Sequence, residues 1–159
     1  MRSPIVALMA IGFAAAAQAA TGTDSDVASA ACEIDDAGVM FEVNITGVQN
    51  ANGQLGVYLY GDVPENFMKK GKWLVREWVP AQEGDMRVCL PAPGPGLYAI
   101  SLYHDEDSNR RLGQNWIGIP TEGFGFSRDA PAPLRLPHFS EAAVEAHVGV
   151  NPTHIRVRY

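Results

Sequence analysis

YAISLYHDEDSNRRLGQNWIGIPTEGFGFS, residues 98–127, is the stretch on which the fold turns. Up to Tyr103 it alternates large apolar side chains with small or polar ones, the two-residue period of a β-strand. At His104 the strand gives way to an acidic loop, and a segment rich in glycine and aromatics follows. Upstream, Pro95 and Gly96 shape the turn that leads into the strand. This is strand, loop and packed excursion in sequence, with no helical periodicity.

Moving outward, residues 39–48 (VMFEVNITGV) place Val39, Phe41, Val43 and Ile45 on one face. Residues 55–60 (LGVYLY) return as a second strand, and Asn52-Gly53 between them predicts an antiparallel hairpin. Residues 73–79, 85–90, 142–150 and 153–159 supply further strands, the last two divided by the turn signal Asn151-Pro152. About seven short strands with turn residues between them predict an all-β antiparallel β-sandwich, immunoglobulin-like or transthyretin-like. The long excursion before the last strands is expected to be packed by its own Trp116, Ile117, Ile119, Phe124 and Phe126.

The first twenty residues read as an export signal: Arg2, an apolar run from Ile5 to Ala17, then Ala17-Gln18-Ala19 for cleavage. That run is shorter than the ~20 residues needed to span a bilayer, so no transmembrane segment is expected after cleavage. Residues 21–33 form a small, polar leader and 34–159 one domain, expected as a monomer in the periplasm or medium. Losing Arg2 leaves 11 basic residues (12 − 1) against 18 acidic ones, moving the charge from −6 to −7. An acidic surface disfavours nucleic acid, and Lys69, Lys70 and Lys72 read as a solvated loop. The two cysteines, Cys32 and Cys89, are expected to form one disulfide in an oxidising compartment. No C-x-x-C exists to activate a thiol.

His104-Asp105-Glu106, Leu112 and Gly118-Ile119-Pro120-x-Glu122-Gly123-Phe124-Gly125-Phe126-Ser127 form one distinctive combination, continued by Pro137-x-Phe139-x-x-Ala142. It closely resembles the signature of a bacterial exported family, domain of unknown function 2141. The resemblance runs from about Val39 to the C-terminus and implies a secreted, β-rich single domain, without assigning a reaction. Members typically read like His-Asp-Glu-Asn-Gly-Asn-Gly-x-Leu-Asp here, which looks like a calcium loop. This chain departs from that pattern: Ser108 and Arg110 stand at the glycine positions and Gly113 at the final aspartate.

Calcium is held by carboxylate and carbonyl oxygens, and Asp105, Asp107 and Asn109 would be positions 1, 3 and 5 of such a loop. Against it, Arg110 occupies the glycine position, which disfavours the sharp turn, and Trp116 stands where a bidentate glutamate is needed. Arg110 and Arg111 either oppose a cation or pair with the acids. The simpler reading is a solvated turn in which Asp107 and Asn109 bond local backbone.

His104 and Glu122 suggest an acid–base pair oriented by Asp105, as in a hydrolase. The structural alternative has His104 bonding a neighbouring loop while Glu122 accepts backbone amides. Ser101 and Ser127 lack a G-x-S-x-G elbow, and His138, His147 and His154 lack zinc-ligand spacing. The Gly123–Phe126 alternation suits close passage of two backbones, with both phenylalanines turned inward. Trp73, Trp78 and Trp116 would line a sugar platform or, more commonly, pack. The expected function is a non-catalytic binding or accessory module for an unknown cell-envelope ligand or protein. His104, Asp105, Glu106, Trp116 and Glu122 are its binding residues, with no cofactor unless calcium binds.

Overall fold

The computed structural model describes residues 32–34, 38–113, 116, 120–132 and 135–159. The export signal and the leader up to residue 31 lie outside them, as do Ile117, Gly118 and Ile119.

The strands are β1 (Val39–Val48), β2 (Gln54–Tyr60), β3 (Val75–Pro80), β4 (Gly84–Ala92), β5 (Gly96–Asp105), β6 (Phe124–Phe126), β7 (Ala143–Ala146) and β8 (Gly149–Arg156). A single turn of helix, α1 (Phe139–Ala142), precedes β7. One sheet has the order β4-β1-β8; the other runs β3-β2-β5-β6, with β7 also paired to β5. The all-β sandwich expectation therefore holds. One pairing is parallel, β1 with β8 from Val39↔Gly149 to Thr46↔Arg156.

The period-2 pattern of β1 decides what lies between the sheets. Val39, Phe41, Val43 and Ile45 are all buried, and they meet Leu55, Val57 and Leu59 of β2 and Ile100 and Leu102 of β5. Each fully buried aliphatic side chain contributes roughly 1.5–3 kcal/mol, so this layer dominates stability. Strands β2 and β5 are covered on their other face too. Tyr58, Tyr60, Ala99 and Phe126 pack there with Phe67, Phe139 and Ala142 into a second cluster. The half-buried alternation expected for β5 therefore becomes continuous burial from Tyr98 to Leu102.

Two local expectations fail for identifiable reasons. Strands β1 and β2 are not a hairpin: β1 pairs β4 and β8, whereas β2 pairs β3 and β5. The segment at Asn52-Gly53 instead carries the chain from one sheet to the other. Nor does Asn151-Pro152 divide the last strands, since both residues lie within β8. The Asn151 side chain makes the turn at a distance, accepting the His147 amide (2.8 Å) and donating to the His147 carbonyl (2.8 Å). Pro152 is tolerated because β8 is an edge strand, where a missing N–H breaks no ladder.

Cys32 and Cys89 are bonded, with a Cα–Cα distance of 5.5 Å. The bridge pins the residues ahead of β1 to β4. Closing a loop 57 residues apart in sequence is worth about 4 kcal/mol on the chain-entropy account. Replacing both cysteines by alanine should lower the urea-unfolding free energy by about 2–4 kcal/mol. A loss below about 1 kcal/mol would show that the unfolded chain is little constrained by the bridge.

Candidate functional site

Strand β5 ends in His104 and Asp105, both 0% exposed. The His104 amide donates to the Gly123 carbonyl (2.7 Å), so the glycine-rich excursion begins already locked to this point. The imidazole then reaches two distant segments. Its Nε2 lies 2.7 Å from the Asn52 carbonyl oxygen and its Nδ1 lies 2.6 Å from the Tyr159 hydroxyl. A carbonyl only accepts, so Nε2 carries a proton and donates. The Tyr159 hydroxyl accepts the Gln49 amide (3.1 Å) and completes the pattern by donating to Nδ1. Burial, opposed by that Gln49 bond, raises the Tyr159 pKa and keeps its proton in place.

The neighbouring carboxylates are tied down by backbone. Glu122 (8% exposed) accepts the Glu106 amide at 3.1 Å through Oε1 and the Gly113 amide at 2.6 Å through Oε2. Asp105 accepts Gln54 Nε2 (3.0 Å) and the Arg110 amide (2.9 Å), both on Oδ2. Its Oδ1 is buried without a hydrogen-bond partner. Glu106 accepts Asn50 Nδ2 at 3.0 Å, a second tie to the β1–β2 crossover. Gly53 makes that approach possible: its φ is +63°, and a Cβ would sit 2.0 Å from the Asp105 carbonyl oxygen. Gly125 plays the same part against β8, where a Cβ would meet the Arg156 carbonyl oxygen at 2.7 Å.

His104 and Glu122 therefore each have their own partners, and Asp105 bonds Gln54 and Arg110 where orientation of the imidazole was expected. The structural alternative describes the geometry. Ser127 is fully buried, its hydroxyl donating to the Ala142 carbonyl and accepting the Ile100 amide at 2.9 Å. Ser101 is buried as well.

The acidic loop is a tight turn in which Asp107 Oδ1 accepts the Asn109 amide (3.0 Å) and Asn109 Oδ1 accepts the Arg111 amide (2.7 Å). Ser108 and Arg110 have φ of 58° and 60°, the left-handed region. The sharp turn thought unfavourable without glycine is thus formed, at the two positions where the family signature carries glycine. The Arg110 guanidinium forms no ion pair among the described residues and lies over the Trp78 ring, 5.7 Å from its centroid. Beside it Tyr58 touches Trp73 and Trp78 edge-on (5.3 and 6.0 Å) and stacks on Tyr103 at 5.8 Å. Burial raises the pKa of both Tyr58 and Tyr103, whose hydroxyls share a 3.2 Å hydrogen bond. Trp116 is 94% exposed, which removes it from the expected packing of the excursion.

The partners of His104 had no sequence signal, because Asn52 and Tyr159 lie 52 and 55 residues away. Fold and site together define a β-sandwich whose distinctive residues form a cross-linked rim at one end of β5. The chain belongs to the family described as uncharacterized protein conserved in bacteria (DUF2141), whose model matches residues 43–154. No curated protein and no solved structure matches it.

Tyr159→Phe removes one hydroxyl and strands Nδ1 of buried His104, while the exposed Gln49 amide turns to water. It should destabilise the fold by about 1–3 kcal/mol in chemical denaturation, and an unchanged midpoint would deny the link. Ser108→Gly relieves left-handed strain at a small entropic cost and should raise stability by about 0.5 kcal/mol. A loss of stability there would mean the serine side chain contributes contacts that outweigh its strain.

Proposed function

We propose that this protein is a non-catalytic binding or accessory module of the bacterial cell envelope, exported as a monomer to the periplasm or medium. The observation that carries the reading is the enclosure of His104. Its two ring nitrogens are committed to Asn52 and Tyr159, leaving no lone pair to take a substrate proton. Glu122 is likewise occupied by two backbone amides. What reaches solvent at the rim is suited to contact: the exposed ring of Trp116, the guanidinium of Arg110 and the carboxylate of Asp107.

Export is supported by the Arg2 to Ala19 signal pattern and by a disulfide that persists in oxidising compartments. No helix among the described residues is long and apolar enough to cross a membrane. The net charge, −6 for the full chain and −7 (11 − 18) once Arg2 is removed, favours neither nucleic acid nor anionic lipid as partner.

The test pairs binding with hydrolysis on the mature chain. Purified peptidoglycan is probed by co-sedimentation with wild type and Trp116→Ala. Retention by wild type that falls about tenfold in Trp116→Ala, at an unchanged melting temperature, supports a contact role for the ring. In parallel, His104→Gln is assayed on chromogenic esters, glycosides and phosphates. The expected result is no turnover by either protein and a stability loss of about 2 kcal/mol in the variant. Turnover by wild type that disappears in a normally stable His104→Gln would replace this reading with the hydrolase.

A further inference from the structure

We propose that Asp105, Asp107 and Glu122 form a calcium site, with Glu122 supplying from the β6 side the carboxylate that the acidic loop itself lacks. The inference stands independently of the envelope-binding role. One oxygen from each of the three side chains lies within 4.8 Å of the others. Oxygens bound at calcium distances to a single ion are at most about 5 Å apart, so the three fit one coordination shell.

The cluster carries an unmet electrostatic demand. Asp105 is completely buried, yet its Oδ1 accepts no hydrogen bond, whereas a buried carboxylate oxygen ordinarily has a partner. None of the ion pairs among the described residues reaches these three acids, which join Arg87 to Glu42, Arg135 to Glu141 and His154 to Asp129. The nearest arginine in sequence, Arg110, is spent on Trp78. Three carboxylates this close repel one another unless a cation is added. The other oxygens accept Gln54 Nε2 and the Arg110 amide (Asp105), the Asn109 amide and Nδ2 (Asp107), and the Glu106 and Gly113 amides (Glu122). These bonds fix each carboxylate while leaving every oxygen a lone pair for a metal.

The donor set names the ion. All three ligands are hard oxygens, no cysteine is near, and both nitrogens of His104 are committed, so zinc and softer metals find no preferred ligand. Asp107 is exposed and gives the ion a way in. Water and loop carbonyls would complete a shell of roughly six to eight oxygens. The position differs from that expected on sequence spacing: Asn109 spends its amide on Asp107 and its carbonyl oxygen on the Arg111 amide, and Glu122 takes its place.

The test uses the mature, disulfide-bonded chain stripped with EDTA and desalted. Calcium chloride is titrated by calorimetry, and melting is followed with 10 mM calcium, with EDTA, and with sodium chloride at matched ionic strength. Wild type should bind one calcium with a dissociation constant of roughly 10⁻⁴ to 10⁻³ M, as extracellular modules do. Its melting temperature should rise by about 3 °C or more with calcium alone. Glu122→Gln removes a backbone acceptor and can weaken the fold, so Asp107→Asn is the decisive variant. It keeps the turn acceptor for the Asn109 amide, gives up to water the exposed bond from Asn109 Nδ2, and removes one charge. Its EDTA melting temperature should equal or exceed that of wild type, while calcium affinity falls about tenfold or more. No calcium heat and no calcium-specific shift in wild type would overturn the site. So would an equal shift in sodium chloride, or an Asp107→Asn variant that binds as wild type does.

Discussion

A single buried imidazole cross-links three parts of the chain that the sheets bring together at one end of the sandwich. His104 sits at the end of β5, its backbone grips the excursion at Gly123, and its ring joins the β1–β2 crossover at Asn52 to the C-terminal Tyr159. The imidazole itself is fully buried, so a ring nitrogen left without its partner costs more than a satisfied bond contributes, although Asn52 and Tyr159 reach solvent on their outer sides. The penalty for breaking the network therefore falls on the buried ring of His104. Removing either partner leaves a buried ring nitrogen unpaired, which makes the rim a specified structure and not a loose end of the sandwich.

That constraint explains why the connection between β1 and β2 departs from hairpin form. A short Asn-Gly loop favours strands side by side, yet the inner faces of β1 and β2 are both needed in the same core layer, one from each sheet. The loop must leave one sheet, cross the end of the sandwich and join the other. Gly53 permits a backbone approach that any side chain would block, and Asn50 and Asn52 bond Glu106 and His104 on arrival. Local turn propensity is satisfied, but tertiary burial decides what the turn connects.

Much of the architecture was legible because it rests on period-2 burial. The inward face of β1, the strand at β5 and the close passage of Gly125 follow from patterns within a few residues, and the disulfide from there being only two cysteines to pair. The departures share a cause. Hairpin pairing, the placement of Asn151 and the full burial of β5 depend on which elements cover a strand from outside, and a second cluster built from Phe67, Phe126 and Phe139 has no local period. At the rim, the acids and His104 stood out as residues, while their partners Gln54, Asn52 and Tyr159 did not. Nothing near those positions marks them, since the link exists only after the two sheets close.

The loop at 105–113 then poses a physical question of its own. Left-handed backbone at Ser108 and Arg110 costs a non-glycine residue roughly 1–2 kcal/mol each. A chain keeps such strain only where surroundings over-determine it. Here the Arg110 amide is held by Asp105, Gly113 by Glu122, and the Arg110 side chain by the face of Trp78. A loop fixed at so many points loses little entropy on meeting a partner, which favours recognition. Fixation alone would equally suit a preorganised catalytic group; what speaks against a general base is that both nitrogens of His104 are already occupied. Backbone strain in the loop and the buried, doubly bonded histidine beside it thus describe one rigid rim, in which the loop is presented to solvent and the imidazole is kept within the fold.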